Sequence, residues 1–213
     1  MVHREMRLHY HFFHVIARPL LKSLFRFQVL GTSNVPPTGG VLLVSNHVSY
    51  VDPVFIGAAV NRNLHYMARS TLFKPGLIEW FLLNMNAFPV HLGVPDRGAI
   101  RKALQILEGG KPLIIFPEGT RSVNGVLGKA QVGASLIAYR TAATVVPIFL
   151  SGTENVLPRS AKMLSPAKVT LSFGEPVDIE HYRKCRGDRD VYVKIGEEVM
   201  TRIAGLRDKL SGF

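Results

Sequence analysis

The chain has one cysteine among its 213 residues, Cys185, in the polar run Tyr182-Arg183-Lys184-Cys185-Arg186-Gly187. A single thiol closes no disulfide within the chain and builds no thiolate metal cluster. It reads as a surface thiol, and the scarcity fits a reducing compartment. Long apolar runs are missing as well. No stretch reaches the roughly 18–20 uninterrupted apolar residues of a membrane-crossing helix. The nearest approach, residues 77 to 92, is broken by Glu79, Asn84, Asn86 and Pro89. The N-terminal stretch lacks the continuous apolar core of a secretory signal peptide, because arginines and histidines recur through it. Acidic residues are few: 15, against 26 lysines and arginines, for a formal charge of +11. With a pI of about 10.1, the chain suits an anionic partner: nucleic acid, an acidic membrane surface or a phosphorylated substrate. There is no internal repeat, low-complexity tract or linker. With 47% hydrophobic residues, this length suffices for one domain with a sizeable core.

The first element is unusual. Arg4, Arg7, His11, His14, Arg18, Lys22 and Arg26 recur at steps of three or four, which puts them on one face of a helix over residues 4–27. Phe12, Phe13, Ile16, Leu20, Leu24 and Phe25 fill much of the remainder. Such a helix suits the membrane interface, although an ordinary packed helix with solvated charges has the same pattern. Pro19 is expected to kink or divide it. The chain is then read as an amphipathic helix over 1–28 and a folded domain over 29–213. In that domain, strands at 26–30, 40–45, 64–68, 87–92, 112–116, 144–150 and 168–173 alternate with helices at 54–60, 71–84, 97–108, 130–141 and 187–210. That alternation is the signature of a single α/β domain, its mixed or mostly parallel sheet flanked by helices.

Two constellations carry chemistry. His47 and Asp52 follow the first long apolar strand, where open α/β sheets place their sites. A carboxylate that orients an imidazole makes it a general base. The plainer reading is that Asp52, before Pro53, caps a helix and forms a capping box with Ser49, leaving His47 a loop residue. The second constellation, Phe116-Pro117-Glu118-Gly119-Thr120-Arg121-Ser122, follows the buried strand ending Leu-Ile-Ile-Phe. Gly119 permits close backbone approach to a ligand, while Thr120, Ser122 and Arg121 suit a phosphate, with Lys129 nearby. Glu118 either holds Arg121 or bonds a substrate hydroxyl. Arg97 opens a helix and can meet an anion there. Pro147, inside the strand Val145-Val146-Pro147-Ile148-Phe149, suggests an edge strand or a bulge.

These residues resemble a family. Asn46-His47-Val48-Ser49-Tyr50-Val51-Asp52 is similar to the His-x4-Asp motif of glycerolipid acyltransferases, the group containing 1-acylglycerol-3-phosphate acyltransferase. Phe116 to Ser122 resembles that family's Glu-Gly-Thr-Arg motif, and Val145-Val146-Pro147-Ile148 its proline-centred motif. The resemblance covers residues 26–176. It implies membrane-surface phospholipid biosynthesis, on the cytoplasmic face of the cell membrane, with a peripheral or monotopic attachment to an anionic bilayer. His47 would be the base on the acceptor hydroxyl and Asp52 its orienter. Glu118, Gly119, Thr120 and Arg121 would bind the acceptor phosphate. The donor would be acyl-CoA or acyl-carrier protein, with no acyl-enzyme, metal or other cofactor, and nucleic acid would not be a partner. In Phe88-Pro89-Val90-His91-Leu92-Gly93-Val94-Pro95-Asp96-Arg97, Leu92 stands where the family usually carries an arginine. Arg97 or His91 takes that place, or the acceptor is a different lysolipid, such as an amino-acid lipid. A non-catalytic lipid-binding module of the same fold is the remaining alternative.

Overall fold

The computed structural model describes residues 8–122, 124–161 and 163–211. Arg4 and Arg7 of the expected basic stripe lie outside the described residues, and for His11 and His14 only the backbone is described.

The chain runs α1 (Leu8–Phe25), β1 (Gln28–Leu30), β2 (Val41–Ser45), α2 (Asp52–Ala59), β3 (His65–Arg69), α3 (Leu77–Asn84), β4 (Ala87–Val90) and α4 (Arg97–Glu108). It continues with β5 (Pro112–Ile115), α5 (Val132–Arg140), β6 (Thr144–Ser151), α6 (Thr153–Val156), β7 (Thr170–Phe173), α7 (Glu180–Arg183) and α8 (Arg189–Ser211). The strands form one seven-stranded sheet in the order β1-β7-β6-β2-β5-β3-β4. From β6 to β4 all neighbours are parallel, whereas β7 runs antiparallel to β6 and carries β1 along its outer edge.

Central strands of a parallel sheet are covered on both faces, so they are apolar at every position rather than at alternate ones. β2 fits this, with Val41 to Ser45 buried throughout. Successive side chains point to opposite faces. Val41 and Leu43 join Ile114, Val146 and Ile148 beneath Leu21 and Phe25 of α1 and Phe55 and Ile56 of α2. Leu42 and Val44 join Leu113, Ile115 and Val145 beneath Ala103, Ile106 and Leu107 of α4, Ile137 of α5, and Ile195, Val199 and Ile203 of α8. The helix after β2 therefore leaves toward one face and the helix after β5 toward the other. Between the carboxyl ends of these two adjacent strands lies the crevice where such sheets hold ligands.

Three expectations change. The helix over 71–84 is a short 3-10 turn at Ser70–Leu72 followed by α3, because Pro75 and Gly76 (φ 145°) break the path between them. Pro19 does not divide α1, which continues from Leu8 to Phe25. Pro147 does not lie on an edge strand, since β6 sits between β7 and β2 with Pro147 in register with Val44, but the register slips by one residue beside it, Ile148 pairing with Phe173 and Val145 with Val177. The Pro147 carbonyl accepts from Gly174 N–H (2.8 Å), just past the end of β7. The imino nitrogen thus faces this irregular stretch just past β7 rather than a regular ladder. Among the described residues, no helix is long and apolar enough to cross a membrane.

Candidate active site

The end of β2 is extended by a side chain. Asn46 is buried; its Nδ2 donates to the Leu150 carbonyl (2.9 Å) and its Oδ1 accepts from Leu150 N–H (2.8 Å). The amide imitates one more ladder position on β6 while the backbone turns out of the sheet. His47 is the first residue of that turn. Its Nδ1 lies 2.7 Å from Asp52 Oδ2, with the histidine side chain 17% exposed and the aspartate fully buried.

Asp52 does not cap α2: the helix has no side-chain cap, and Ser49 Oγ donates instead to the Leu157 carbonyl at 3.2 Å. The carboxylate turns back along the chain. Oδ2 accepts from Val48 N–H (2.7 Å) and Ser49 N–H (2.9 Å) as well as facing His47, and Oδ1 accepts from the Thr153 hydroxyl (2.5 Å). An oxygen already taking two amide protons is an acceptor, so His47 Nδ1 is the donor. The lone pair of the imidazole is then on Nε2, as a general base requires. The ring stacks on Phe116, which follows β5, with centroids 4.0 Å apart.

The loop after β5 docks onto this turn. Ser122 N–H donates to the His47 carbonyl (2.7 Å), and the Arg121 guanidinium sits 3.5 Å above the Tyr50 ring centre. Gly119 is in the left-handed conformation, φ 72°, that lets the loop reverse. Glu118 does not hold Arg121. Its Oε2 accepts from Gly128 N–H (2.8 Å) and closes the loop at its far end, while Oε1 is buried and has no partner among the described residues. Glu118, Thr120, Arg121, Ser122, Gly128 and Lys129 line an open cleft. Arg121 and Lys129 supply positive charge there, and the buried Glu118 oxygen is an unfilled acceptor.

Arg97 does not line this cleft. It is exposed at the start of α4, at the same end of the sheet but beyond β3 and β4. His91 is turned onto Asp96, with Nδ1 and Oδ2 2.9 Å apart. The Asp96 carboxyl is lowered to about 2 by the Ala99 and His91 N–H bonds and then by the His91 side chain. Asn46, Thr153 and Arg159 also bond within this site. For two of them position is the signal: Asn46 directly follows β2, and Thr153 follows Gly152 directly after β6.

A His–Asp pair and a basic loop on adjacent parallel strands, on either side of the crevice, define the class. The chain belongs to the Acyltransferase family, whose model matches residues 26–151. It is 31% identical over 188 residues to the 1-acyl-sn-glycerol-3-phosphate acyltransferase of Bacillus subtilis, covering 86% of this chain and 89% of that protein. The corresponding protein of Streptococcus pneumoniae is 31% identical over 146 residues, 67% of this chain and 52% of that one. A chloroplastic protein of the same name from Arabidopsis thaliana is 27% identical over 157 residues, 72% and 44% of the two chains. This chain thus spans about half the length of these last two relatives. Its fold is similar to the crystal structure of the 1-acyl-sn-glycerophosphate acyltransferase PlsC from Thermotoga maritima, with a TM-score of 0.74 and 26% identity over 93% of this chain and 79% of that one.

Proposed function

We propose that the protein transfers a fatty acyl group from acyl-CoA or acyl-carrier protein to the free hydroxyl of 1-acylglycerol-3-phosphate, at a membrane surface. The observation that carries this reading is the Asp52–His47 bond, which leaves Nε2 as the free basic atom beside a phosphate-suited loop. Nε2 takes the hydroxyl proton as the oxygen attacks the thioester carbonyl. The tetrahedral adduct collapses with cleavage of the C–S bond, and the imidazolium returns the proton to the departing thiolate. Arg121, Thr120 and Lys129 hold the acceptor phosphate, and Glu118 Oε1 accepts a bond from an acceptor hydroxyl. No acyl-enzyme or resident cofactor takes part in this sequence.

The membrane reading is supported by apolar surface on the α1–α2–α3 face. Val15, Ile16, Leu20 and Leu24 of α1 are exposed, as are Leu77, Ile78, Trp80, Phe81 and Leu83 of α3. With the net charge of +11, this suits peripheral attachment to an anionic leaflet on the cytoplasmic side. The exposed Leu92, in place of an arginine, favours a second reading: an acceptor of the same class without the glycerol phosphate, such as an amino-acid lysolipid.

The test is transfer of radiolabelled palmitate from palmitoyl-CoA, and separately from palmitoyl-carrier protein, to 1-oleoylglycerol-3-phosphate and a panel of other lysolipids. Wild type is expected to acylate one acceptor and His47→Ala none. An equally fast His47→Ala protein overturns the mechanism, and no transfer to any acceptor overturns the function.

A further inference from the structure

The segment after β6 makes contacts that this reaction sequence does not use. Gly152 sits at φ 91°, with the Lys168 carbonyl oxygen occupying the space of a side chain, so the chain turns there only as glycine. The next residue, Thr153, is fully buried, and its hydroxyl donates to Asp52 Oδ1 at 2.5 Å. The Leu157 carbonyl takes the Ser49 hydroxyl. Arg159 then donates from one guanidinium nitrogen to the carbonyls of Arg121 (2.6 Å) and Ser122 (3.0 Å). Ser122 N–H returns to the His47 carbonyl. The bonds close a ring through His47, Asp52, Thr153, Arg159 and Ser122, joining both halves of the site through a third stretch of chain.

We propose that Thr153 and Arg159 are positioning residues for acyl transfer, Thr153 fixing the Asp52 carboxylate that aims His47 and Arg159 fixing the loop that receives the acceptor phosphate. The inference rests on the reading of His47 as the base. Among the described residues, Asp52 Oδ2 faces three donors and Oδ1 only Thr153. A buried carboxylate oxygen stripped of its one donor is strongly disfavoured. The carboxylate would turn to regain a donor, and the bond to His47 would lose its geometry. A residue that orients a histidine through a carboxylate is a recurrent outer-layer device. Arg159 draws two consecutive carbonyls to one side. That leaves the Ser122 amide facing His47 and the Arg121 side chain lying over Tyr50.

Thr153→Val keeps the shape and removes the hydroxyl. With palmitoyl-CoA and 1-oleoylglycerol-3-phosphate in phosphatidylglycerol vesicles, kcat is expected to fall roughly 10–100-fold, with the acceptor KM within about two-fold. Thr153→Ser is expected to recover most of the rate. Arg159 is exposed, so Arg159→Ala folds; it is expected to raise the acceptor KM about five-fold while lowering kcat less. A Thr153→Val kcat within two-fold of wild type, or a Thr153→Ser protein as slow as the valine variant, overturns the proposal. The low-field proton resonance of His47 Nδ1–H, assigned by its loss in His47→Gln, gives a reading independent of turnover. It is expected to move in Thr153→Val and return in Thr153→Ser; a resonance unmoved in Thr153→Val overturns the proposal. If it moves as expected while wild type acylates nothing, the positioning role stands and the assigned reaction falls.

Discussion

His47 and Phe116 stack nearly face to face, with planes 21° apart. One ring follows β2 and the other β5, so packing between neighbouring strands sets the plane of the imidazole. The bond to Asp52 fixes its rotation within that plane. Phe116→Ala removes the platform and leaves the hydrogen bond. We expect kcat to fall roughly ten-fold, with a normal far-ultraviolet spectrum and a smaller change in KM. Initial rates at saturating acceptor check this.

Asp52→Asn separates charge from shape. The amide oxygen can take the place of Oδ2 against Val48 and Ser49, and the amide nitrogen can donate to Thr153, whose hydroxyl accepts as readily as it donates. The turn is retained while the stabilisation of the imidazolium is lost. We expect a fold that survives and a rate reduced about 10²- to 10⁴-fold. A rate within ten-fold of wild type would remove Asp52 from the mechanism.

Asn46→Ala tests the false ladder position. The substitution leaves the Leu150 N–H and carbonyl buried and unpaired, at about 1–3 kcal/mol for an orphaned group. Urea denaturation is expected to show a loss of about 2–4 kcal/mol at unchanged slope. Because His47 leaves the sheet from this residue, activity should fall further than the unfolded fraction accounts for.

Asp96 caps α4 through Ala99 N–H and also binds His91. Its folded carboxyl lies at about 2, below the ordinary 3.8, so its stabilising effect is fully present above about pH 4. The effect is lost as the pH falls toward 2. Asp96→Ala should therefore cost about 1 kcal/mol near neutrality. In thermal melts, its difference from wild type should close between pH 4 and pH 2.

Leu77 is 79% exposed and Trp80 62% exposed on α3, so replacing both with serine should leave the fold intact. Partitioning onto phosphatidylglycerol vesicles is expected to weaken at least about ten-fold, since each side chain contributes 1–3 kcal/mol when buried. Cosedimentation measures it, and binding to neutral vesicles should be weaker for both proteins. Equal binding of the two proteins would exclude α3 from the membrane contact.

Much of this architecture is legible in the chain itself. β2, β5 and β6 are short apolar runs, and the helix over 97–108 is found with the expected bounds because Asp96 begins it and Gly109-Gly110 stop it. His47, Asp52 and the Glu118–Arg121 run are recognisable from their place after apolar strands. The partners that make them a site are not. Asn46 meets Leu150 and Asp52 meets Thr153 across more than 100 residues, a separation no local pattern reports. The Asp-Pro pair pointed to a helix cap, but the carboxylate turns back to His47, Val48 and Ser49 and reaches Thr153 across the fold. α6 and α7 are single turns, too short to show a helical period.

β1 pairs only with β7, Gln28 to Leu30 alongside Thr170 to Ser172. During synthesis, the early strand has no partner until the late one has emerged from the ribosome. Strands β2 to β6 can pair among themselves in the meantime. Throughout that interval α1, joined to β1 by two residues, is held by its packing on α2, Phe25 against Phe55, and lacks the bond from Val169 N–H to the Phe25 carbonyl. The closing strand pair therefore sets a time order: the edge that carries α1 is completed only after the central strands have paired.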